Sequence, residues 1–280
     1  MAADRYLGDI IVPAHNEENV ILRCLRAVAS GDADKLLRII VVANGCTDRT
    51  ADRARLFGSE NVAVLELPVA SKTAAIRAAE ILCPLRPRLY VDADVELHGA
   101  SAVAVLERLQ SGALAARPPI HYAFDQASWA VRRYYRARSS NQLVMRSLWG
   151  AGAYGLSVEG RSRFEGYPDV VAEDLWVDNQ FRPSEIEIVE CDPVIVHTPR
   201  TIAGLRRILR RTHRGAVDCG AAHPPDRSQT LREMSRLASQ GPSQLLDALT
   251  YLAFATMTRL DVRVIPGGTW ERDETSRGPQ

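Results

Sequence analysis

The sequence has few aromatic residues, no closely spaced pair of cysteines and almost no net charge. Aromatic residues make up 6% of its 280 residues, against 46% hydrophobic and 25% charged. This is ordinary globular usage, which excludes disordered, collagen-like and disulfide-scaffold chains. The 35 basic and 34 acidic residues leave a net charge of +1, so nucleic acid is not an expected partner. The five cysteines show no CxxC or CxxxC spacing and favour reduced thiols in a cytoplasmic protein.

Long apolar runs and an apolar N-terminal stretch are also missing. No run reaches the roughly 18 residues that span a bilayer, and the nearest candidate, residues 245–257, is interrupted by Asp247. Residues 1–8 carry Asp4 and Arg5 and no apolar stretch, so we expect no secretory signal. These absences predict a soluble, cytoplasmic chain and leave open a peripheral contact at the inner face of a membrane. The length allows one large domain or two small ones.

The first 95 residues alternate between short apolar segments and segments of helical periodicity. We predict strands at 9–13, 36–43, 61–67 and 88–92, with helices at 17–30, 47–57 and 71–82 between them. This alternation predicts a parallel sheet covered by helices on both faces. Ligands of such sheets bind at the carboxyl ends of the strands, which here are the polar segments 13–18, 43–48, 68–72 and 92–96.

The second half is less regular. We predict helices at 99–110, 125–145, 173–181 and 201–214, an extended glycine-rich segment at 148–156 and a strand at 194–197. A loop or hinge at 215–228, two further helical stretches and a frayed polar tail from residue 266 complete the prediction.

Two aspartates, Asp92 and Asp94, directly follow the fourth predicted strand. Carboxylates one residue apart on a tight turn can both face one cation, and carboxylate oxygens suit Mg²⁺ or Mn²⁺. Substrate phosphates typically complete the coordination of such a cation. The alternative is a solvated loop, because Asp-x-Asp occurs often by chance, but the position at a strand end favours the metal site.

A family resemblance runs through three segments, namely IVPAHNEE at 11–18, VVANGCTDRT at 41–50 and DAD at 92–94. In order and spacing they resemble the family 2 glycosyltransferases of the GT-A fold, and Glu173 and Asp174 look like the acidic pair that supplies that family's catalytic base. The resemblance covers residues 8–214. It implies an α/β fold with a mostly parallel central sheet and helices on both faces. The GT-A catalytic domain would span residues 1–214, and a helical C-terminal extension with a flexible tail would span 215–280.

The resemblance also implies a role for each matching position. The turn from Pro13 through Ala14 to Glu17 would cradle the nucleotide, with Glu17 near the ribose or base. Lys72 would lie near the diphosphate. The donor and the metal, Mn²⁺ or Mg²⁺, would be held by the DAD segment, in which Asp92 and Ala93 contact the donor and Asp94, with Asp92, holds the cation.

Asn44 departs from the family pattern, which usually has an aspartate that accepts a hydrogen bond from uracil. An amide can accept through its oxygen but also donates. The resemblance implies a nucleotide-sugar donor, UDP-linked first and GDP-linked second, and leaves the acceptor unknown. The departure at Asn44 argues against the family's usual UDP preference.

The acidic pair would activate the acceptor. An acceptor hydroxyl is a poor nucleophile and needs a carboxylate base within hydrogen-bond reach. We assign Asp174 as that base and Glu173 as a residue that orients it or binds acceptor; single displacement then inverts the anomeric carbon. The alternative is that both acids complement the dipole of a helix N-terminus.

Three further features have competing interpretations. The glycine-rich run containing Gly152 forms either a wall of the acceptor or donor site or a tightly packed strand. His197 is either an additional metal ligand or a structural histidine. The basic segment with Arg200 and Arg207 contacts the diphosphate or acceptor, lies on an anionic membrane, or is a solvated helix face.

Together these features predict a metal-dependent, inverting hexosyltransferase that moves a sugar from a nucleotide-diphosphate donor to an acceptor hydroxyl. One alternative is a nucleotidyltransferase that forms sugar nucleotides, although the N-terminal region lacks a glycine-rich phosphate loop followed by lysine. The other is a catalytically silent GT-A scaffold that binds nucleotide.

Overall fold

Ten strands and twelve α-helices occur in the parts of the chain that the computed structural model describes, residues 6–83, 85–219 and 227–264. The strands are β1 (Gly8–Ala14), β2 (Leu37–Asn44), β3 (Val62–Leu67), β4 (Arg88–Val91), β5 (Val95–Glu96), β6 (Ala115–Arg117), β7 (Ile120–Ala123), β8 (Ala153–Leu156), β9 (Ile186–Ile188) and β10 (Val194–His197). The helices are α1 (Ile21–Val28), α2 (Ala33–Leu36), α3 (Thr50–Arg55), α4 (Lys72–Leu82), α5 (Gly99–Gln110), α6 (Trp129–Ser140), α7 (Gln142–Met145), α8 (Val158–Arg161), α9 (Glu173–Asp178), α10 (Ile202–Asp218), α11 (Arg227–Ala238) and α12 (Pro242–Val264).

The larger sheet has seven strands in the order β3-β2-β1-β4-β8-β6-β9. The four N-terminal strands pair in parallel, whereas β8 runs antiparallel to both of its neighbours, β4 and β6. A smaller sheet joins β5, β10 and β7. The mostly parallel α/β sheet expected from the sequence is therefore confirmed.

The central strands β1 and β2 are buried on both faces, which explains their almost continuous apolar sequence. Ile10 and Ile39 face one core together with Leu25 of α1, and Ile11 faces the other core together with Ile76 of α4. All five side chains are fully buried, and each contributes roughly 1.5–3 kcal/mol of transfer free energy. The sheet is thus a rigid base for the loops at its carboxyl edge.

The structure differs from the sequence prediction in several places, among them the short helices α2 and α8, which were not predicted. The helix predicted at 125–145 is two helices, α6 and α7, because the side chain of Asn141 caps α7 by accepting from the Leu143 N–H at 3.0 Å. The short strands β5, β6, β7 and β9 were not predicted. Residues 215–218, predicted as loop, continue α10, and Gly215 packs there against Ala172.

The other C-terminal predictions are tested only in part. The two helical stretches are confirmed as α11 and α12, whereas residues 220–226 and the tail from residue 266 lie outside the described residues. The division of the chain at residue 214 stays a prediction. Within the described ranges, no helix is long and apolar enough to cross a bilayer.

Candidate active site

A cleft of about 2160 Å³ lies at the carboxyl ends of the parallel strands. Residues of α9, α10 and α12 also line it. Eleven predicted site residues line it: Pro13, Glu17, Asn44, Lys72, Asp92, Ala93, Asp94, Gly152, Glu173, Asp174 and His197. Three others do not, namely Ala14, Arg200 and Arg207. The fold therefore brings residues from seven separate segments to one surface.

The turn after β1 is joined to the loop after β2. Asn16 has a positive φ of 52°, a conformation that asparagine tolerates better than most residues, and its Oδ1 accepts from the Thr47 N–H at 2.7 Å. The Glu17 N–H donates to Thr50 Oγ1 at 2.7 Å. These bonds fix the turn so that the buried Glu17 side chain lines the cleft.

Asn44 has a fixed orientation. Its Nδ2 donates to the carbonyl of Ala14 at 2.9 Å, so Ala14 contributes a backbone contact rather than a surface of the cleft. Because this bond uses the amide nitrogen, the Oδ1 atom is the acceptor that Asn44 offers. The asparagine can thus accept a hydrogen bond through Oδ1, as a carboxylate would.

The segment around Asp92 is held by its backbone. The Asp92 N–H donates to the Gly152 carbonyl at 2.7 Å, and Arg23 donates to the Asp94 carbonyl at 3.1 Å. Gly152 has a φ of +66°, and a Cβ there would lie 2.5 Å from Val95 Cγ1. This close approach leaves no room for a side chain at position 152. Asp92 and Asp94 both line the cleft.

Lys72 bridges two carboxylates. Its Nζ lies 2.5 Å from Asp92 Oδ1 and 2.5 Å from Glu173 Oε1, and Glu173 has only 2% of its side chain exposed. Lys72 is the first residue of α4, where a cation opposes the helix dipole. The two ion pairs offset this cost and bind α4 to α9 across the cleft.

Burial and these ion pairs together shift the pKa values of Lys72, Glu173 and Asp92. Burial lowers the pKa of Lys72, but the charges of Asp92, Glu173 and Asp174 outweigh it and raise that pKa. Burial raises the pKa of Glu173 to about 7, against the opposing effect of Lys72. Burial likewise raises the pKa of Asp92. The site therefore concentrates negative charge that one ammonium only partly balances.

The Asp174 side chain is held by two backbone donors. Its Oδ2 accepts from the Gly150 N–H at 2.9 Å, and its Oδ1 accepts from the Leu175 N–H at 2.8 Å. Glu173 and Asp174 lie at the start of α9, so the dipole interpretation also applies to them. Asp174 nevertheless lines the cleft, with one oriented carboxylate beside the glycine-rich segment.

The remaining metal and anion candidates have other contacts. His197 lines the cleft, and its Nε2 is hydrogen-bonded to Glu96 Oε1 at 2.5 Å. In the described part of the chain, no group of three His, Cys, Asp or Glu residues could hold a metal. The neighbouring Arg206 of α10 pairs with Asp261 of α12 at 2.6 Å, whereas Arg211, one helical turn after Arg207, lines the cleft.

Arg138 and the C-terminal wall of the cleft were not predicted as parts of the site. Arg138, Tyr251 and Arg259 all line the cleft, although they lie in segments predicted only as helices. No local signal distinguishes Arg138 from the other arginines of α6, because the difference arises from packing.

A pH effect on stability is expected from Asp178, the last residue of α9. Its Oδ1 accepts from the Leu148 N–H at 2.6 Å, and burial raises its pKa to about 6. Because the folded state holds this proton more tightly than the unfolded state, the contribution of Asp178 is full below about pH 4 and is lost as pH rises through about 6. Asp178→Asn keeps the acceptor and removes this dependence.

The measurement is urea unfolding of both proteins from pH 4 to 7. As pH rises from 4 to 7, the unfolding free energy of Asp178→Asn should increase relative to that of the wild type. The increase should be about 1.4 kcal/mol for each unit by which folding raises the pKa of Asp178. Asp125→Asn, the same chemical change at an exposed loop position, serves as the control for the substitution itself. If the difference in unfolding free energy between Asp178→Asn and the wild type does not depend on pH, the raised pKa of Asp178 is contradicted.

Comparison with known proteins identifies the family of the chain. A family model described as glycosyl transferase family 2 matches residues 9–153, which is more than half of the chain. The chain therefore belongs to glycosyl transferase family 2. No curated protein sequence gives a significant match.

Solved structures share the fold. The mannosyltransferase PcManGT from Pyrobaculum calidifontis, in complex with GDP-Man and Mn²⁺, is 16% identical with a TM-score of 0.64, covering 94% of this chain and 88% of that chain. Glucosyl-3-phosphoglycerate synthase from Mycobacterium tuberculosis, in complex with Mn²⁺, UDP and glucosyl-3-phosphoglycerate, is 21% identical with a TM-score of 0.53, covering 80% and 82%. A complex of that synthase with Mg²⁺ and UDP gives the same values. The GT-A fold expected from the sequence is confirmed.

Proposed function

We propose that the protein is a metal-dependent, inverting glycosyltransferase that moves a hexose from a nucleotide-diphosphate donor to an acceptor hydroxyl. One observation carries the proposal: the residues that resemble the family's donor, metal and base positions line one cleft. The membership of the chain in family 2 supports it, and so do neighbours of the same fold that bind GDP-Man or UDP with Mn²⁺.

The donor is held at the carboxyl ends of β1, β2 and β4. Asn44 Oδ1 accepts an N–H of the base, which both uracil and guanine provide. Glu17 binds the ribose or base, and Lys72 exchanges part of its ion pairing for the diphosphate. As the diphosphate departs, the fixed ammonium stabilises its growing negative charge.

The residues present fit a divalent cation. Asp92 and Asp94 offer hard oxygen ligands at the cleft surface, and the Asp92 side chain is 36% exposed despite its pair with Lys72. Two carboxylates with phosphate oxygens are a usual ligand set for Mg²⁺ or Mn²⁺. When bound there, the cation supplies additional positive charge to the leaving diphosphate.

Asp174 acts as the general base on the acceptor hydroxyl. The two backbone bonds hold its carboxylate in one orientation at the cleft surface, which is the positioning that proton transfer requires. The buried Glu173 orients the site through Lys72 instead of contacting acceptor.

The two alternatives predict different results. A nucleotidyltransferase would consume a nucleoside triphosphate and a sugar phosphate, and a silent scaffold would bind nucleotide without cleaving its sugar. Mass spectrometry of UDP-, GDP- and dTDP-linked sugars with Mn²⁺ tests the proposal, because slow donor hydrolysis needs no acceptor. We expect the free sugar and the nucleoside diphosphate as products.

Asp94→Ala should abolish the metal dependence of donor binding. In the wild type, a donor at about 100 times its dissociation constant adds about 2.7 kcal/mol of stability, and we expect most of this gain to require Mn²⁺. Thermal shift with and without Mn²⁺ measures it. Asp125→Ala should keep the metal effect, and an unchanged metal effect in Asp94→Ala would remove Asp94 from the metal site.

A further inference from the structure

Arg138 is a cation in the wall of the cleft that forms no ion pair with any residue that the structure describes. It lies near the end of α6, where its Nε donates to the Tyr122 hydroxyl at 3.0 Å. Its guanidinium carbon lies 5.6 Å from the Tyr122 ring centre and 5.4 Å from that of Trp149. Its two Nη atoms make no hydrogen bond to described residues and are not fully buried, so a ligand can reach them.

Among the residues that the structure describes, the groups that interact most strongly with the charge of Arg138 are not carboxylates. Its main electrostatic neighbours are the tyrosines Tyr122, Tyr134, Tyr135 and Tyr251. Withdrawing a cation from water costs free energy unless an opposite charge compensates it. A guanidinium stays charged and presents a planar set of donors that matches phosphate and carboxylate oxygens. The arrangement therefore favours an oxyanion supplied by a ligand.

Two other cations of the same cleft are already neutralised. Lys72 is paired with Asp92 and Glu173, and Arg163 is paired with Glu185 at 2.8 Å. Arg138 thus differs from them in having charge available for a ligand.

Gly150 connects Arg138 to the proposed base. It has a φ of +76°, and a Cβ there would lie 2.7 Å from an Nη of Arg138, so the absence of a side chain leaves room for the guanidinium. The same residue donates its N–H to Asp174 and accepts from the Tyr122 hydroxyl through its carbonyl, at 2.9 and 3.3 Å. An anion on Arg138 would therefore lie on the acceptor side of Asp174.

We propose that Arg138 binds a phosphate or carboxylate group of the acceptor. The acceptor is then a molecule that carries an oxyanion. This inference rests on the proposed glycosyl transfer and names its acceptor. The anion is either a water-soluble ester or acid or the headgroup of a lipid. In both cases Arg138 offsets the repulsion between the acceptor and the aspartates of the site.

The test measures the dissociation constants of four probes with the wild-type protein saturated with Mn²⁺ and the nucleoside diphosphate of the donor, so that the diphosphate site is filled. The probes are inorganic phosphate, glycerol phosphate, glycerate and farnesyl phosphate in detergent micelles. We expect at least one to bind, and Arg138→Gln to weaken it at least tenfold. Arg136→Gln, an exposed arginine on the same helix, should leave binding unchanged. Tighter binding of farnesyl phosphate than of the soluble probes assigns a lipid source, and the reverse assigns a soluble one.

Arg138→Lys provides a second variant if the glutamine variant unfolds. It keeps the charge but not the planar donors, so we expect an intermediate loss of affinity. Donor hydrolysis and nucleoside diphosphate affinity should stay within threefold of wild type in both variants, because water replaces the acceptor in that assay.

Two results would overturn the inference. One is probe binding that does not respond to Arg138, or no probe binding at all, in a protein that hydrolyses donor. The other concerns the nucleoside diphosphate. If Arg138→Gln weakens nucleoside diphosphate binding as much as it weakens probe binding, Arg138 belongs to the donor site. Failure of the proposed function looks different, since no sugar nucleotide would then be bound or hydrolysed. Repeating the probe titrations without nucleotide still measures the anion site in that case.

Discussion

Asp174→Asn is expected to lower the rate of donor hydrolysis by about 10²–10⁴-fold, the usual contribution of a general base. The substitution keeps the size of the side chain, and its Oδ1 can still accept one of the two backbone N–H groups that hold Asp174. It removes the capacity to take a proton from the incoming hydroxyl. Donor affinity should stay within about threefold, because Asp174 is assigned to the acceptor side.

The measurement combines hydrolysis rates by mass spectrometry with donor affinities by calorimetry. Asp125→Asn carries the same chemical change at an exposed position and should leave both quantities unchanged. Unchanged hydrolysis in Asp174→Asn would remove the base assignment. An equal loss of affinity and rate would assign Asp174 to the donor instead.

The part of the site near the parallel strands could be predicted because local sequence determines it. Asp92 and Asp94 follow a buried strand directly, and Asn44 ends another, so their positions at the sheet edge follow from the strand pattern alone. Lys72 follows Ser71, whose side chain caps α4 by accepting from the Ala74 N–H. In each case the short motif and the nearby end of a strand or start of a helix both predict a position at the carboxyl edge of the sheet.

The rest depends on contacts that local sequence does not encode. Strands β5, β6 and β9 have only two or three residues, too few for an alternating pattern to be recognised. Arg207 and Arg211 lie one turn apart on α10, and only its packing against α12 decides which of them reaches the cleft. Packing likewise distinguishes Arg138 from Arg136, because Trp149 and Gly150 lie beside Arg138.

Lys72→Met is expected to lower both stability and nucleoside diphosphate affinity, because one ammonium serves the fold and the donor. Removing one partner of a fully buried ion pair costs roughly 3–5 kcal/mol. The cost here should be lower, since 27% of the Lys72 side chain is exposed and Glu173 can take up a proton. Loss of the charge at the diphosphate should weaken nucleotide binding by about 10–100-fold, as for a charge-assisted hydrogen bond of 1.5–3 kcal/mol.

The pH dependence separates the two effects. Burial already raises the pKa of Glu173 to about 7, and without Lys72 that pKa rises further. A raised carboxyl pKa means that stability is lost as pH increases through it. The unfolding free energy of Lys72→Met should therefore approach that of the wild type near pH 5 and fall below it towards pH 8. Lys35→Met, at an exposed ion pair, should show no such divergence.

The double variant Lys72→Met/Glu173→Gln isolates the role of the charge in donor binding. The double variant removes the ammonium together with the fully buried carboxylate of Glu173, and the carboxylate left without its partner is that of Asp92, whose side chain is 36% exposed. Stability at pH 8 should therefore return most of the way to wild type. Nucleoside diphosphate affinity should stay as low as in the single variant, because glutamine cannot replace the ammonium at the diphosphate. Recovery of affinity together with stability would mean that Lys72 only positions α4 against α9, and the leaving diphosphate would then depend on Asp92, Asp94 and their cation alone.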